Sequence, residues 1–129
     1  MTDKEVNRMS EIRRGDIWMV DFGAPEDEYD HKLHGIRPVV IVSNDSANRH
    51  STVFHAVPLT SKVYKKTYLP THIFISSYKA VGLRTNSIAQ CEQLCDVNDT
   101  DLIEKIGEVS RKQLQQITKG MQIQLGMSK

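Results

Sequence analysis

A chain of 129 residues, 39% hydrophobic and 26% charged, has the length of one domain, and its composition excludes a disordered polymer. A formal net charge of +1 excludes a global basic field, so any anion site must be local. No apolar run reaches membrane-spanning length, and Cys91 and Cys95, about 13 Å apart along a strand, stand too far apart to bridge, which predicts a reduced, cytoplasmic protein without a membrane partner.

The polar start, residues 1–12, lacks the apolar core of a signal peptide and predicts a flexible tail ahead of one domain over 13–129. "DIWMVDF" (Asp16–Phe22) is rich in aromatic and branched residues and predicts a first strand. Gly23–Gly35, acidic and bounded by glycines, predicts a long loop. "RPVVIVS" (Arg37–Ser43) predicts a buried strand whose proline stands at the start, where no ladder donor is lost. "NDSANRHS" (Asn44–Ser51) has the residues of a turn.

"TVFHAVPLTS" (Thr52–Ser61) predicts a third strand ending near Pro58, followed by a basic, aromatic loop over Lys62–Pro70. "THIFIS" (Thr71–Ser76) and "SIAQCEQLCDV" (Ser87–Val97) predict a fourth and a fifth strand. Asp99–Ser110 has room for a helical turn and a short strand. From there Leu114, Ile117, Met121 and Leu125 step by three, four and four, the stripe of an amphipathic helix capped by Ser110. Gly120 inside that helix costs about 1 kcal/mol relative to alanine. The order predicts a mainly β fold, a small antiparallel barrel with a C-terminal helix packed on it.

Arg37 is the first candidate for chemistry. A strand-end arginine commonly makes an exposed ion pair, here with Glu26, Asp27, Glu28 or Asp30. A guanidinium also carries fixed planar donors that match a phosphate, and Pro38 and Val39–Val42 hold this one rigidly. Thr60 and Ser61, with Lys62 beside them, either satisfy their own turn or aim two hydroxyls at phosphate oxygens. On a strand, Gln90 and Glu92 share a face opposite Cys91. Glu92 is then a solvated surface carboxylate or a group that orients Arg37 or receives a proton.

The spacings of His31, His34, His50, His55, His72 and the cysteines match no metal template, so no metal is expected. His34, three before Arg37, suits RNA contact or acid–base work. Tyr64 and Tyr68 among Lys62, Lys65 and Lys66 suit base stacking and backbone neutralisation, and Arg49 extends the basic set.

Taken in order, "RRGDIWMVDF" (Arg13–Phe22), "GIRPVVIVSNDSANR" (Gly35–Arg49), "VPLTS" (Val57–Ser61), "LPTHIFI" (Leu69–Ile75) and "GLRTNSIAQCEQ" (Gly82–Gln93) resemble the MazF/PemK family of toxin endoribonucleases. The resemblance implies an SH3-like, CcdB/MazF-type barrel forming a homodimer. It implies sequence-specific cleavage of single-stranded RNA at the dimer groove, with no metal or other cofactor, and neutralisation by a cognate antitoxin. The family's catalytic arginine falls on Arg37, its threonine on Thr60 with Ser61 beside it, and its late acidic residue on Glu92. Around them, His34, Arg49, Lys62, Tyr64, Lys65 and Gln90 are expected to bind RNA. Where many members carry a loop glutamate five before the arginine, this chain has Lys32. The expected products are a 2′,3′-cyclic phosphate and a 5′-hydroxyl. The rival readings are a CcdB-type toxin that poisons DNA gyrase and a non-catalytic RNA-binding barrel.

Overall fold

The computed structural model describes residues 12–27, 33–63 and 69–127. Among these residues seven strands, β1 (Asp16–Asp21), β2 (Ile36–Ile41), β3 (Val53–Thr60), β4 (His72–Ile75), β5 (Ser87–Gln90), β6 (Cys95–Asn98) and β7 (Leu102–Glu108), are joined with two helices, α1 (Asp45–His50) and α2 (Arg111–Gln124). The strands pair antiparallel in the order β4-β5-β3-β2-β1-β7, with β6 also on β3. The mainly antiparallel sheet and C-terminal helix agree with expectation. The expected barrel differs in one respect: the path of strand pairs is open, with β4 and β7 at its ends.

β2 explains its own nearly unbroken apolar run. Alternate residues of a strand face opposite sides of the sheet, and here both sides are covered. Val40 and Val42 join Ile17, Val57, Leu59, Ile75 and Cys91 in a core closed by Ile117 of α2. Val39 and Ile41 join Trp18, Phe54, Val97 and Leu102 in a second core on the other face.

The helix is fixed by its cap and one cation. Ser110 Oγ accepts from Gln113 N at 3.1 Å, and Gln113 Oε1 accepts from Ser110 N at 2.8 Å, a complete capping box. Arg14 reaches both layers, donating to the Val42 carbonyl at the end of β2 and to Thr118 Oγ1 at 2.6 Å on α2. Of the apolar stripe, Ile117 is buried, Leu114 and Met121 pack half-buried on the core, and Leu125 is 59% exposed, past the helix end.

Gly120 shows why a glycine stands inside this helix: a Cβ there would lie 2.7 Å from Cys91 Sγ. A closer approach joins β7 to the segment before β5. Val81 and Glu108 exchange backbone hydrogen bonds of 2.8 and 3.0 Å, and a Cβ on Gly82 or Gly107 would fall within 1.9 or 1.8 Å of the opposing carbonyl oxygen.

Three expected elements differ. Asn44–Ser51 holds α1, with Asn44 Oδ1 accepting from Ala47 N as its N-cap. The segment after Asn98 folds as a 3-10 turn (Asp99–Asp101) and a seven-residue strand rather than a short one. The expected continuous fifth strand, Ser87–Val97, is broken at Cys91–Gln93 by a second 3-10 turn. Between the pairs Leu59↔Ala89 and Ala56↔Cys95, β3 advances three residues while its partner spends six. The turn is thus a three-residue bulge in an otherwise continuous neighbour of β3.

Candidate active site

Arg37 and Thr60 come from the same end of two neighbouring strands. The β2–β3 register is Val39↔Pro58, Val40↔Val57 and Ile41↔Ala56. Carried on by two residues, it sets Arg37 abreast of Thr60. Direct pairing stops before them, next to Pro38 and Pro58, which have no amide hydrogen to give a ladder.

Both side chains are half-buried and each is tied at one atom. Arg37 Nε donates to the His34 carbonyl at 2.7 Å. That bond fixes the guanidinium plane, and its two terminal nitrogens make no hydrogen bond to a described residue. Thr60 Oγ1 accepts from Lys62 N at 3.2 Å. The turn-stabilising role expected of such a hydroxyl is therefore present, yet a hydroxyl that accepts keeps its own proton to donate. Ser61 and Lys62 follow, exposed. The end of β2–β3 thus gathers a fixed cation, two hydroxyls and a lysine, a donor set suited to an anion.

The other expected residues fall elsewhere. Arg49 sits in α1, which joins the far ends of β2 and β3, about 23 Å from Thr60 at the rise of a strand. Within one chain it does not extend the Arg37 site. Gln90 ends β5 half-buried, opposite His72. Tyr64 and Lys65, like His31 and Lys32, lie outside the described residues.

Glu92, expected on a strand, lies instead in the 3-10 bulge. Thr60 pairs with Ile88, and Gln90 lies a further two residues, about 7 Å, along β5. Glu92 follows Gln90 and belongs to a different cluster. His72 Nε2 lies 2.6 Å from Glu92 Oε2, and Thr71 Oγ1 donates to the same oxygen at 3.2 Å. His72 Nδ1 and Glu92 Oε1 are buried and have no hydrogen-bond partner among the described residues. The sequence places Thr71 and His72 together, but only the bulge turns Glu92 onto them, so residue spacing carried no sign of the pair.

His72 also lines a groove of about 1040 Å³ between β4 and α2. Its floor includes Ile73, Phe74 and Ile123, and Lys79, Lys112 and Lys119 are exposed on its walls. Phe74 is 52% exposed. The thiols are inert by contrast. Burial, with Glu92 adding a smaller contribution, pushes Cys91 up to about 12, and burial with Asp96 pushes Cys95 up to about 11. Both are free. Among the described residues, no group of three or more His, Cys, Asp or Glu side chains is arranged to hold a metal ion. No helix among them is long and apolar enough to cross a membrane.

Comparison with known proteins accounts for nearly the whole chain. The endoribonuclease MazF of Staphylococcus saprophyticus is 31% identical over 118 residues, covering 90% of this chain and 92% of that protein. A solved MazF from Deinococcus radiodurans superposes with a TM-score of 0.71 at 17% identity, covering 90% of this chain and 97% of that one. A mycobacterial endoribonuclease solved in complex with its cognate antitoxin superposes with a TM-score of 0.67 at 24% identity, over 92% of this chain and 96% of that one. These two likenesses are of fold. Residues 13–125 match the PemK-like, MazF-like toxins of type II toxin–antitoxin systems, and the chain belongs to that family.

Proposed function

We propose that this protein is a toxin endoribonuclease that cuts single-stranded RNA at particular sequences, without a metal, and that a cognate antitoxin silences it. The observation that carries this reading is the placement of Arg37 and Thr60 at the same end of the neighbouring strands β2 and β3, each anchored by one atom and, among the described residues, keeping its remaining donors free. The likeness to an endoribonuclease MazF supports RNA as the substrate class.

In the proposed reaction the 2′-oxygen of a ribose attacks the adjacent phosphorus and loses its proton. The bond from phosphorus to the 5′-oxygen breaks, and that oxygen takes up a proton. The products are a 2′,3′-cyclic phosphate and a 5′-hydroxyl. Negative charge gathers on the non-bridging oxygens as the new bond forms. The terminal nitrogens of Arg37 meet that charge, and Thr60 and Ser61 donate to the same oxygens. Lys62, exposed beside them, and His34, whose carbonyl orients Arg37, flank the strand. Gln90 at the end of β5 and Glu92 in the bulge beyond it contact RNA further along. A homodimer gives the strand a longer track and covers the open sheet edges.

The test uses purified protein, a long single-stranded RNA and a chelator, with the new ends mapped. Cleavage at a short recurrent sequence, leaving 5′-hydroxyl ends, is expected. Arg37→Ala and Thr60→Ala are each expected to lose about a hundredfold or more in rate while keeping the fold. Wild-type rates in both variants would refute the assignment. Retention of intact RNA would support a binding barrel, and gyrase inhibition without cleavage would support the CcdB-type reading.

A further inference from the structure

We propose that His72 is a positioning residue for Glu92, holding the carboxylate in a fixed place beside RNA bound along β4. This rests on the nuclease reading above. The sequence offers His72 only as one of five scattered histidines. The bulge makes it a partner.

The cluster is built asymmetrically. Both donors, His72 Nε2 at 2.6 Å and Thr71 Oγ1 at 3.2 Å, go to Oε2. Among the described residues Oε1 receives none, and it is buried although the side chain is 27% exposed overall. Buried carboxylate oxygens are normally satisfied, and an exception calls for a reason, of which a catalytic role is one. Fixing one oxygen through an imidazole fixes the plane of the carboxylate, which is how a supporting residue preorganises a functional group. The imidazole is itself held, with only 7% of its side chain exposed.

A purely structural role explains the bond less well. β4 is already tied to the bulge through the backbone: Cys91 N donates to the Thr71 carbonyl at 2.9 Å, and His72 pairs with Gln90 in the β4–β5 ladder. The side-chain bond adds little to that tie and much to the orientation of Glu92. His72 also lines the lysine-walled groove, where a polyanion would lie.

The test is a double-mutant cycle read in single-turnover cleavage of an RNA oligomer that holds one mapped site. His72→Phe keeps a ring and removes the donor. Glu92→Gln keeps the shape and removes the charge. His72→Gln keeps a donor near the place of Nε2. Each single variant is expected to slow cleavage by roughly tenfold to a hundredfold with the melting curve preserved. The double variant is expected to be no slower than Glu92→Gln alone, and His72→Gln to recover part of the loss.

If His72→Phe slows the Glu92→Gln enzyme as much as it slows the wild type, His72 does not act through Glu92 and the proposal fails. Wild-type speed in Glu92→Gln also overturns it. If His72→Phe does not fold, His72→Leu takes its place in the cycle. Arg37→Ala is assayed in parallel. Full activity there refutes the nuclease assignment itself, whereas lost activity there with an unaffected Glu92→Gln refutes only the role given to His72.

Discussion

Gly120→Ala isolates how closely α2 lies on the sheet. In a solvent-facing helix the change would stabilise by about 1 kcal/mol, because glycine loses more backbone freedom on folding. Here the added carbon would stand 2.7 Å from Cys91 Sγ, 3.3 Å from Ile73 Cγ1 and 3.4 Å from Cys91 Cβ. Cys91 is fully buried, and its thiol donates to the Ile117 carbonyl at 3.5 Å, so the sulfur has no open direction in which to retreat. Overpacking of this kind costs about 1–3 kcal/mol. Set against the propensity gain, the net effect is a loss of about 1 kcal/mol. That corresponds to a fall of about 4 °C in melting temperature for a domain of this size. Urea denaturation with an unchanged slope reports the free energy directly. Removing the obstructing sulfur should reverse the sign. Cys91→Ala alone costs stability by leaving a gap, yet in the Gly120→Ala background it should restore part of the loss. A Gly120→Ala protein as stable as the wild type would show that helix and bulge are not in firm contact.

Arg37→Lys keeps the charge but loses the planar fork and the Nε bond to His34, so cleavage is expected to fall roughly a hundredfold with little change in melting temperature; initial rates on a mapped RNA check this. Ser110→Ala removes one half of the capping box and is expected to cost about 1 kcal/mol in urea denaturation. The Cys91 thiol has an alkaline signature. Its folded value, pushed from 9.0 up to about 12, means that the folded chain keeps a proton the unfolded chain releases. Stability conferred by this group is therefore full below about pH 9 and declines as pH rises from there toward 12, and Cys91→Ala should flatten that decline in urea midpoints measured between pH 8 and 10.5.

The strands were legible because branched and aromatic residues cluster in runs with glycine, proline or asparagine at their ends. Asp16–Asp21 and Ile36–Ile41 are the clearest instances. Helix α2 was legible from the Leu114–Ile117–Met121 stripe and from Ser110, whose cap is present. Helix α1 was not, because six residues are too few to show a helical period, and its Asn44 cap reads equally well as a turn. The break at Cys91–Gln93 was hidden for another reason. It contains neither glycine nor proline, and Cys91 continues the buried run of Ser87–Ala89. Closure of the sheet depends on which distant strands pair, and no local pattern encodes that.

The candidate site divides along the same line. The shared location of Arg37 and Thr60 was legible because each marks the end of a recognisable strand, and neighbouring antiparallel strands bring such ends together. The setting of Glu92 was not, since a slip of three positions takes it off the strand and turns it toward His72. Arg49 joined the basic set only by composition, and the chain folds it to the far end of the hairpin.

The contact at Gly82 and Gly107 bears on how any mutational scan of this toxin should be interpreted. Two main chains meet there with no room for even a methyl group on either, and Gly82 also holds a left-handed φ of 82°. Survival-based selection would therefore mark both positions as intolerant, with a signal as deep as that of a residue touching substrate. The two classes separate in a soluble-yield measurement: variants at the glycine crossing should disappear from the folded fraction, whereas variants at the Arg37–Thr60 end of β2–β3 should accumulate as harmless, well-folded protein.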